Sequence, residues 1–235
     1  MRFDVVSIFP QALGGLLSVG VVGQARDAGE IAIHFHDLRD FTDDAHRVVD
    51  DRPYGGGAGM LLKVEPFVRA LEHIRPACGS RTTVVLLSAQ GKLFAHEDAV
   101  RYACGDSLVL LCGRYEGVDE RILAFVDEEI SIGDFVLAGG EAAAAVVIEA
   151  TARLLPGVVG KYESVATDSF YGEARLGAPQ YTRPPRFRGL GVPDVLLSGD
   201  HARIDEFRAR EAWKKTAKNR PSLLGLCDKG ADEDG

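Results

Sequence analysis

Cysteine is scarce and scattered in this chain: Cys78, Cys104, Cys112 and Cys227 are the whole complement, and no two stand at C-x-x-C spacing. That weighs against a zinc ribbon or a dithiol redox pair. Three of the four lie in or beside apolar runs, so free thiols in a reducing cytosol are the expectation. His34 and His36 share one face of a strand, but no Cys or His cluster accompanies them and no metal site is expected there. Positive charge is also in deficit. With 27 Lys+Arg against 35 Asp+Glu the formal charge is -8, which argues against a protein that coats nucleic acid non-specifically and leaves a local basic face open. No run is long and apolar enough to span a membrane. The N-terminal apolar segment is interrupted by Asp4, Gln11, Gln24 and Arg26, and it reads as a strand and a helix of the fold, not as a signal peptide.

What is present is a globular composition of 235 residues, 46% apolar and 26% charged, enough for one large domain or for one with a smaller companion. Spacing predicts a strand at Phe3 to Phe9, a helical stretch from Pro10 to about Ala28 and a strand at Ile31 to Phe35. Helices at Val64 to Ile74, Ala95 to Cys104, Val118 to Phe125 and Glu141 to Leu155 then alternate with strands at Val84 to Leu87, Leu108 to Cys112 and Glu129 to Ile132. The alternation predicts an α/β fold with a mainly parallel sheet covered on both faces. The last of these helices is so rich in Ala and Val that burial on more than one side is expected, part of it at a subunit interface.

Three strands end in small or polar loops: VVLLSAQG at Val84 to Gly91, LVLLCGRYEGVD at Leu108 to Asp119, and ISIGDFVLAGGE at Ile130 to Glu141. Ligands of open parallel sheets bind outside the carboxyl ends of the strands, so the three loops are expected to converge on one small molecule. Glycine frees the backbone at their turns to approach it. The tract Gly55 to Gly59 is not a P-loop, because no Gly-Lys-Ser/Thr follows, and it fails G-x-G-x-x-G because Met60 stands where the last glycine belongs. It closes a polar segment, Asp37 to Gly59, whose length marks a functional or mobile loop.

From Lys161 to about Pro193 periodicity is lost, and it returns between Asp194 and Leu224 together with Arg203, Arg208, Arg210, Lys214, Lys215, Lys218 and Arg220. A solvated helix face, with Glu206 and Glu211 pairing with the bases, is one reading. Clustering beside Arg183, Arg186 and Arg188 favours the other, a phosphate-binding surface. The closing DKGADEDG is acidic and apolar-poor, as a disordered tail would be.

With RPYGGGAGM at Arg52 to Met60, LLSAQG at Leu86 to Gly91, LLCGRYEGVDER at Leu110 to Arg121, ISIGDFVLAGGE, ESVATDSF at Glu163 to Phe170 and YTRP at Tyr181 to Pro184, the sequence resembles the bacterial tRNA (guanine-37-N1)-methyltransferase family, TrmD. The match runs in order over nearly the whole chain. Ala89, Phe135 and Ala138 stand where proline, tyrosine and serine are common, which puts a few side-chain hydrogen bonds in doubt and not a backbone-mediated site. The resemblance implies a SPOUT-type parallel sheet with a deep trefoil knot, active as a homodimer in the cytoplasm. The implied domains are a knotted methyltransferase domain at 1–160, a flexible linker at 161–193 with the catalytic residue, a helical tRNA-binding domain at 194–227 and the acidic tail at 228–235.

The activity implied is transfer of a methyl group from S-adenosylmethionine to N1 of guanosine 37. The resemblance places the cofactor at Leu87, Ser88, Gly113, Ile132, Gly133, Phe135, Val136, Leu137, Gly139 and Gly140; Asp134 is assigned with them, and Glu116 is the candidate for steering its charged end, a solvent-exposed loop carboxylate being the other reading of Glu116. It makes Asp168 the general base and Arg153 the arginine that orients guanine, where local sequence alone would favour a turn or cap role for Asp168. Arg183, Arg186, Arg188, Lys214, Lys215, Lys218 and Arg220 are the expected tRNA contacts. Family members are described as needing magnesium; a loosely held hydrated ion would leave no motif, and no dedicated metal ligands are assigned. A knotted methyltransferase acting on another base or on ribose, and an RNA-binding protein without catalysis, are the competing readings.

Overall fold

The computed structural model describes residues 1–159, 168–172 and 174–226, which separate into two compact units, residues 1–160 and 161–235. In the first unit five parallel strands form one sheet: β1 (Arg2–Ser7), β2 (Ala32–Asp37), β5 (Thr82–Leu93), β6 (Ser107–Cys112) and β7 (Glu128–Ser131), in the order β2-β1-β6-β5-β7. The polar loop at 37–59 contributes β3 (Asp50–Asp51) to a short antiparallel ladder with β4 (Leu61–Leu62), which follows it.

Alternation along the strands feeds two cores. Phe3, Val5, Val85, Leu87, Leu108 and Leu110 turn to one face, under α1 (Gly20–Asp27), α3 (His96–Ala103) and α4 (Glu141–Ala152). Val6, Val84, Leu86, Val109 and Leu111 turn to the other, under α2 (Val64–Ile74), whose Phe67, Leu71 and Ile74 are fully buried. All six residues of β6 are buried, as a central parallel strand covered on both sides requires. Truncating a side chain as buried as Phe67 costs about 3–5 kcal/mol.

Several boundaries differ from the sequence reading. The stretch from Pro10 is two 3-10 turns, Pro10–Leu13 and Leu16–Ser18, before α1 begins at Gly20, whose φ is +64°. Gly23 explains the tight packing there, since a Cβ on it would sit 2.3 Å from the Ser18 carbonyl oxygen. No helix forms over 118–125. Val118 bridges to Leu62, and Asp119, accepting the Arg121 N–H at 3.0 Å, starts a 3-10 turn at Glu120–Ala124. β5 runs past Leu87 to Leu93 through a register shift against β7, where Gly91 comes so close that a Cβ would lie 2.4 Å from the Ile130 nitrogen. The Ala- and Val-rich α4 ends at Ala152, and eight of its residues are buried in its own unit. Val146 on the same helix is left 45% exposed.

In the second unit β8 (Arg186–Phe187) and β9 (Leu190–Gly191) make a hairpin through Arg188 and Gly189, both at positive φ. Then come α5 (Asp194–Leu197) and the long α6 (His201–Asn219), capped by Asp200 on the Arg203 N–H at 3.3 Å, and a 3-10 turn at Pro221–Leu224. Thr216 of α6 is fully buried, donates to the Ala212 carbonyl at 2.7 Å and accepts the Leu176 N–H at 3.0 Å. The segment before the helices is thus fastened to them. Glu163 to Thr167, Cys227 and the acidic tail lie outside the described residues. Among the described residues Cys78, Cys104 and Cys112 are free thiols, and no helix is long and apolar enough to cross a membrane.

Candidate active site

Strands β5, β6 and β7 are adjacent and parallel, so their carboxyl ends open on one side of the sheet. The three loops that leave them wall a cavity of about 520 Å³, within the range of small-molecule sites. Leu87 and Ser88 come from β5, Gly113 and Glu116 from the loop after β6, and Ile132, Gly133, Phe135, Val136, Leu137, Gly139 and Gly140 from the loop after β7. Eleven of the twelve residues assigned to the cofactor by resemblance therefore line one cavity. The exception is Asp134, which is exposed and does not line it.

Backbone contacts hold these loops to one another. The Gly140 N–H donates to the Gly113 carbonyl at 2.9 Å, and Arg114 and Gly139 form an isolated antiparallel bridge. The loop at 55–62 closes from the side: the Glu116 N–H reaches the Met60 carbonyl at 3.1 Å, and Leu62 donates to Gly117 at 3.0 Å. Gly59, at φ +87°, holds a backbone conformation that other residues rarely adopt, and a Cβ there would have to displace the Glu116 side chain, 2.4 Å away at Oε1. Gly133, at φ +153°, is backed by the Phe135 ring, which a Cβ would approach to 2.3 Å. Behind the wall, burial first and then the Glu141 carboxylate push the Cys112 thiol well above the usual range. It stays a protonated, inert thiol at neutral pH.

The sequence reading passed over Leu61, Gln90, Arg114 and Tyr115, which also line the cavity. Gln90, Arg114 and Tyr115 sit inside the quoted loops and could have been taken with them. Leu61 carried no signal, since it arrives through the β3–β4 ladder. The expected catalytic pair falls in separate units. Arg153 is an exposed residue closing α4, its N–H on the Glu149 carbonyl at 3.4 Å; Asp168 is exposed, its carbonyl accepting the Tyr171 N–H at 3.4 Å.

The basic residues of the second unit are not equivalent. Lys214 lies 2.8 Å and Arg210 3.4 Å from the Glu211 carboxylate, and Arg208 lies 3.6 Å from Asp205. These are the surface pairs that a solvated face predicts. Lys215 and Lys218 make no such pair among the described residues. Arg188 stacks over Phe187 at 5.3 Å, and Arg220 lies 6.0 Å from the ring of Phe170, two residues from Asp168.

A pocket at the carboxyl ends of a parallel sheet is where α/β proteins of this architecture bind their ligands, and the sheet order and cavity place this chain in that class. The family model described as tRNA (Guanine-1)-methyltransferase TrmD matches residues 1–226, and the chain belongs to that family. Among relatives named tRNA (guanine-N(1)-)-methyltransferase, that of Geotalea uraniireducens is 49% identical, with 95% of this chain and 90% of the relative covered. The one from Anaeromyxobacter dehalogenans is 48% identical over 99% and 98%, and the one from Thermomicrobium roseum 49% identical over 95% and 83%. A non-catalytic RNA-binding protein is thereby set aside.

Proposed function

We propose that this methyltransferase moves the methyl group of S-adenosylmethionine to N1 of guanosine 37 of tRNA, with the cofactor in the pocket at the ends of β5, β6 and β7. The observation that carries the reading is the convergence of eleven family-assigned residues on one cavity of about 520 Å³. Apolar walls at Leu87, Ile132 and Leu137 suit an adenine ring, close backbones at Gly113 and Gly140 suit amide and carbonyl recognition of its edge, and Glu116 suits a charged amino end.

When bound, S-adenosylmethionine supplies an electrophilic methyl on a sulfonium sulfur. Guanine N1 carries a proton and is a poor nucleophile until that proton leaves. Asp168 accepts it as the new N–C bond forms, and Arg153 donates to the neighbouring carbonyl oxygen, where negative charge builds. The loops after β6 and β7 would hold the donor as it supplies the methyl and retains the electron pair of its S–C bond, and Asp168 would pass its proton to water.

The family's trefoil knot belongs to the same reading; the Gly140 N–H on the Gly113 carbonyl ties together the two loops that would take part in it. So does a homodimer, supported by the exposed apolar side chains of Phe135, Val136 and Leu137, and so does a place in the cytoplasm, which rests on the tRNA substrate alone. Sedimentation should give twice the chain mass. The segment at 161–193 is read as the interdomain linker, the helices at 194–227 as the tRNA-binding domain, and magnesium as a loosely held hydrated ion. The test of function is methyl transfer from labelled cofactor to tRNA transcripts carrying guanosine or adenosine at position 37, with mass analysis of the nucleosides. Label in N1-methylguanosine from the first transcript alone is expected; label in ribose or another base overturns the reading.

A further inference from the structure

A buried carboxylate that this chemistry does not use stands behind the pocket wall. Glu141, the first residue of α4, is 5% exposed; its Oε1 accepts from Ser7 Oγ at 2.5 Å and from Arg114 Nε at 3.2 Å. Its Oε2 lies 3.1 Å from Arg114 Nη2 without the alignment of a hydrogen bond, and it has no other partner. The Ser7 hydroxyl accepts the Phe9 N–H at 2.8 Å, and the Arg114 guanidinium lies 4.5 Å from the centre of the Phe9 ring. The end of β1, the loop after β6 and the start of α4 thus meet on one side chain. Gly139 permits it, because a Cβ there would sit 2.5 Å from Glu141 Oε2 and 2.6 Å from Arg114 Nε.

A charge is costly to bury, and a well-packed apolar residue in its place is often as stable. The buried Ala143, Ala144, Ala145, Val147 and Ile148 of α4 show that such packing is available here. A favourable helix dipole accounts for a carboxylate in the first turn, but not for its enclosure by Ser7 and Arg114. What the arrangement does supply is register, since Arg114 lines the cavity and Glu141 follows directly on Gly139 and Gly140, which also line it.

We propose that Glu141 is a positioning residue of the methyl-donor pocket, clasping Arg114 and Ser7 so that the loops after β6 and β7 are held at binding separation before the ligand arrives. The proposal rests on the reading that this pocket takes S-adenosylmethionine.

Two variants test it. Glu141→Gln keeps the size and an acceptor for Ser7 but removes the charge that holds Arg114; Ser7→Ala removes one donor and leaves the ion pair. At a temperature where melting curves show both folded, the calorimetric Kd for S-adenosylmethionine should rise roughly tenfold for Glu141→Gln, the order seen for residues coupled in one ion-pair network. KM for the cofactor should rise with it while kcat at saturation stays within about twofold, the signature of lost ground-state binding. Amide hydrogen exchange should quicken at 113–117 and 137–140. If Glu141→Gln does not fold, a weaker Kd and faster exchange in Ser7→Ala are the expected result. A lower melting temperature with Kd and loop exchange unchanged in every folded variant makes Glu141 structural and overturns the proposal. Absence of saturable heat from the wild-type protein removes the pocket reading instead, and the proposal with it.

Discussion

The backbone of Gly140 sits against that of Cys112: a Cβ on Gly140 would lie 2.8 Å from Cys112 Cα, and its N–H is already committed to Gly113 at 2.9 Å. Its φ of -75° is one that any residue adopts, so the glycine is needed for close approach of two chain segments and not for its dihedral.

Gly140→Val should therefore push the loop after β7 off β6. Overpacking of this kind costs about 1–3 kcal/mol, so a lower melting temperature should accompany loss of S-adenosylmethionine binding by calorimetry. Wild-type affinity in this variant would mean that the cavity is not where the cofactor sits.

Asp168→Asn keeps the shape of the side chain and removes its basicity. Single-turnover methylation should fall by at least about a hundredfold, the low end for loss of a general base, with cofactor affinity near normal. A rate close to wild type with tRNA saturating would pass the role to Glu116, which lines the cavity, ahead of Asp134, which does not.

The ion pairs of α6 sort its lysines. Lys215→Glu with Lys218→Glu should lower the log-log salt slope of tRNA binding by roughly one per lost phosphate contact. Lys214→Glu should do less, because Glu211 already takes part of that charge at 2.8 Å. Equal slopes for all the variants and wild type would return the whole helix to the solvated-face reading.

Acid stability should depend on Asp98, whose nearly buried carboxylate accepts the Ala95 N–H at 3.0 Å and pairs with Lys92 and Arg101 at 2.9 Å each. Burial alone would raise its pKa; the bonds to Lys92, Ala95 and Arg101 outweigh it and hold the carboxyl below its ordinary 3.8. A folded value below the unfolded one gives stabilisation that is complete above about pH 4 to 5 and is lost as pH falls through the folded value. Urea unfolding across pH 3 to 7 should then show a shallower acid slope in Asp98→Asn, with lower stability at neutral pH. Parallel slopes would place the acid sensitivity elsewhere, first at Asp4, held down by His36 and Arg2 against its own burial.

Sequence by itself determined the alternating strands and helices, the three loops at the ends of β5, β6 and β7 and, through six ordered motifs, the family. Strand and helix periods and glycine-bracketed turns are local properties, written within a few neighbouring residues. Tertiary structure alone decided how the Pro10 stretch breaks against Gly23, that eight residues of α4 are buried in its own unit while Val146 is not, that Leu61 reaches the pocket, and that Asp134 does not. It also turned Glu141 from a first-turn residue of a helix into a buried clasp. Ser7 and Glu141 stand 134 residues apart, and a contact across that span depends on which strands are neighbours in the sheet, which no local pattern encodes.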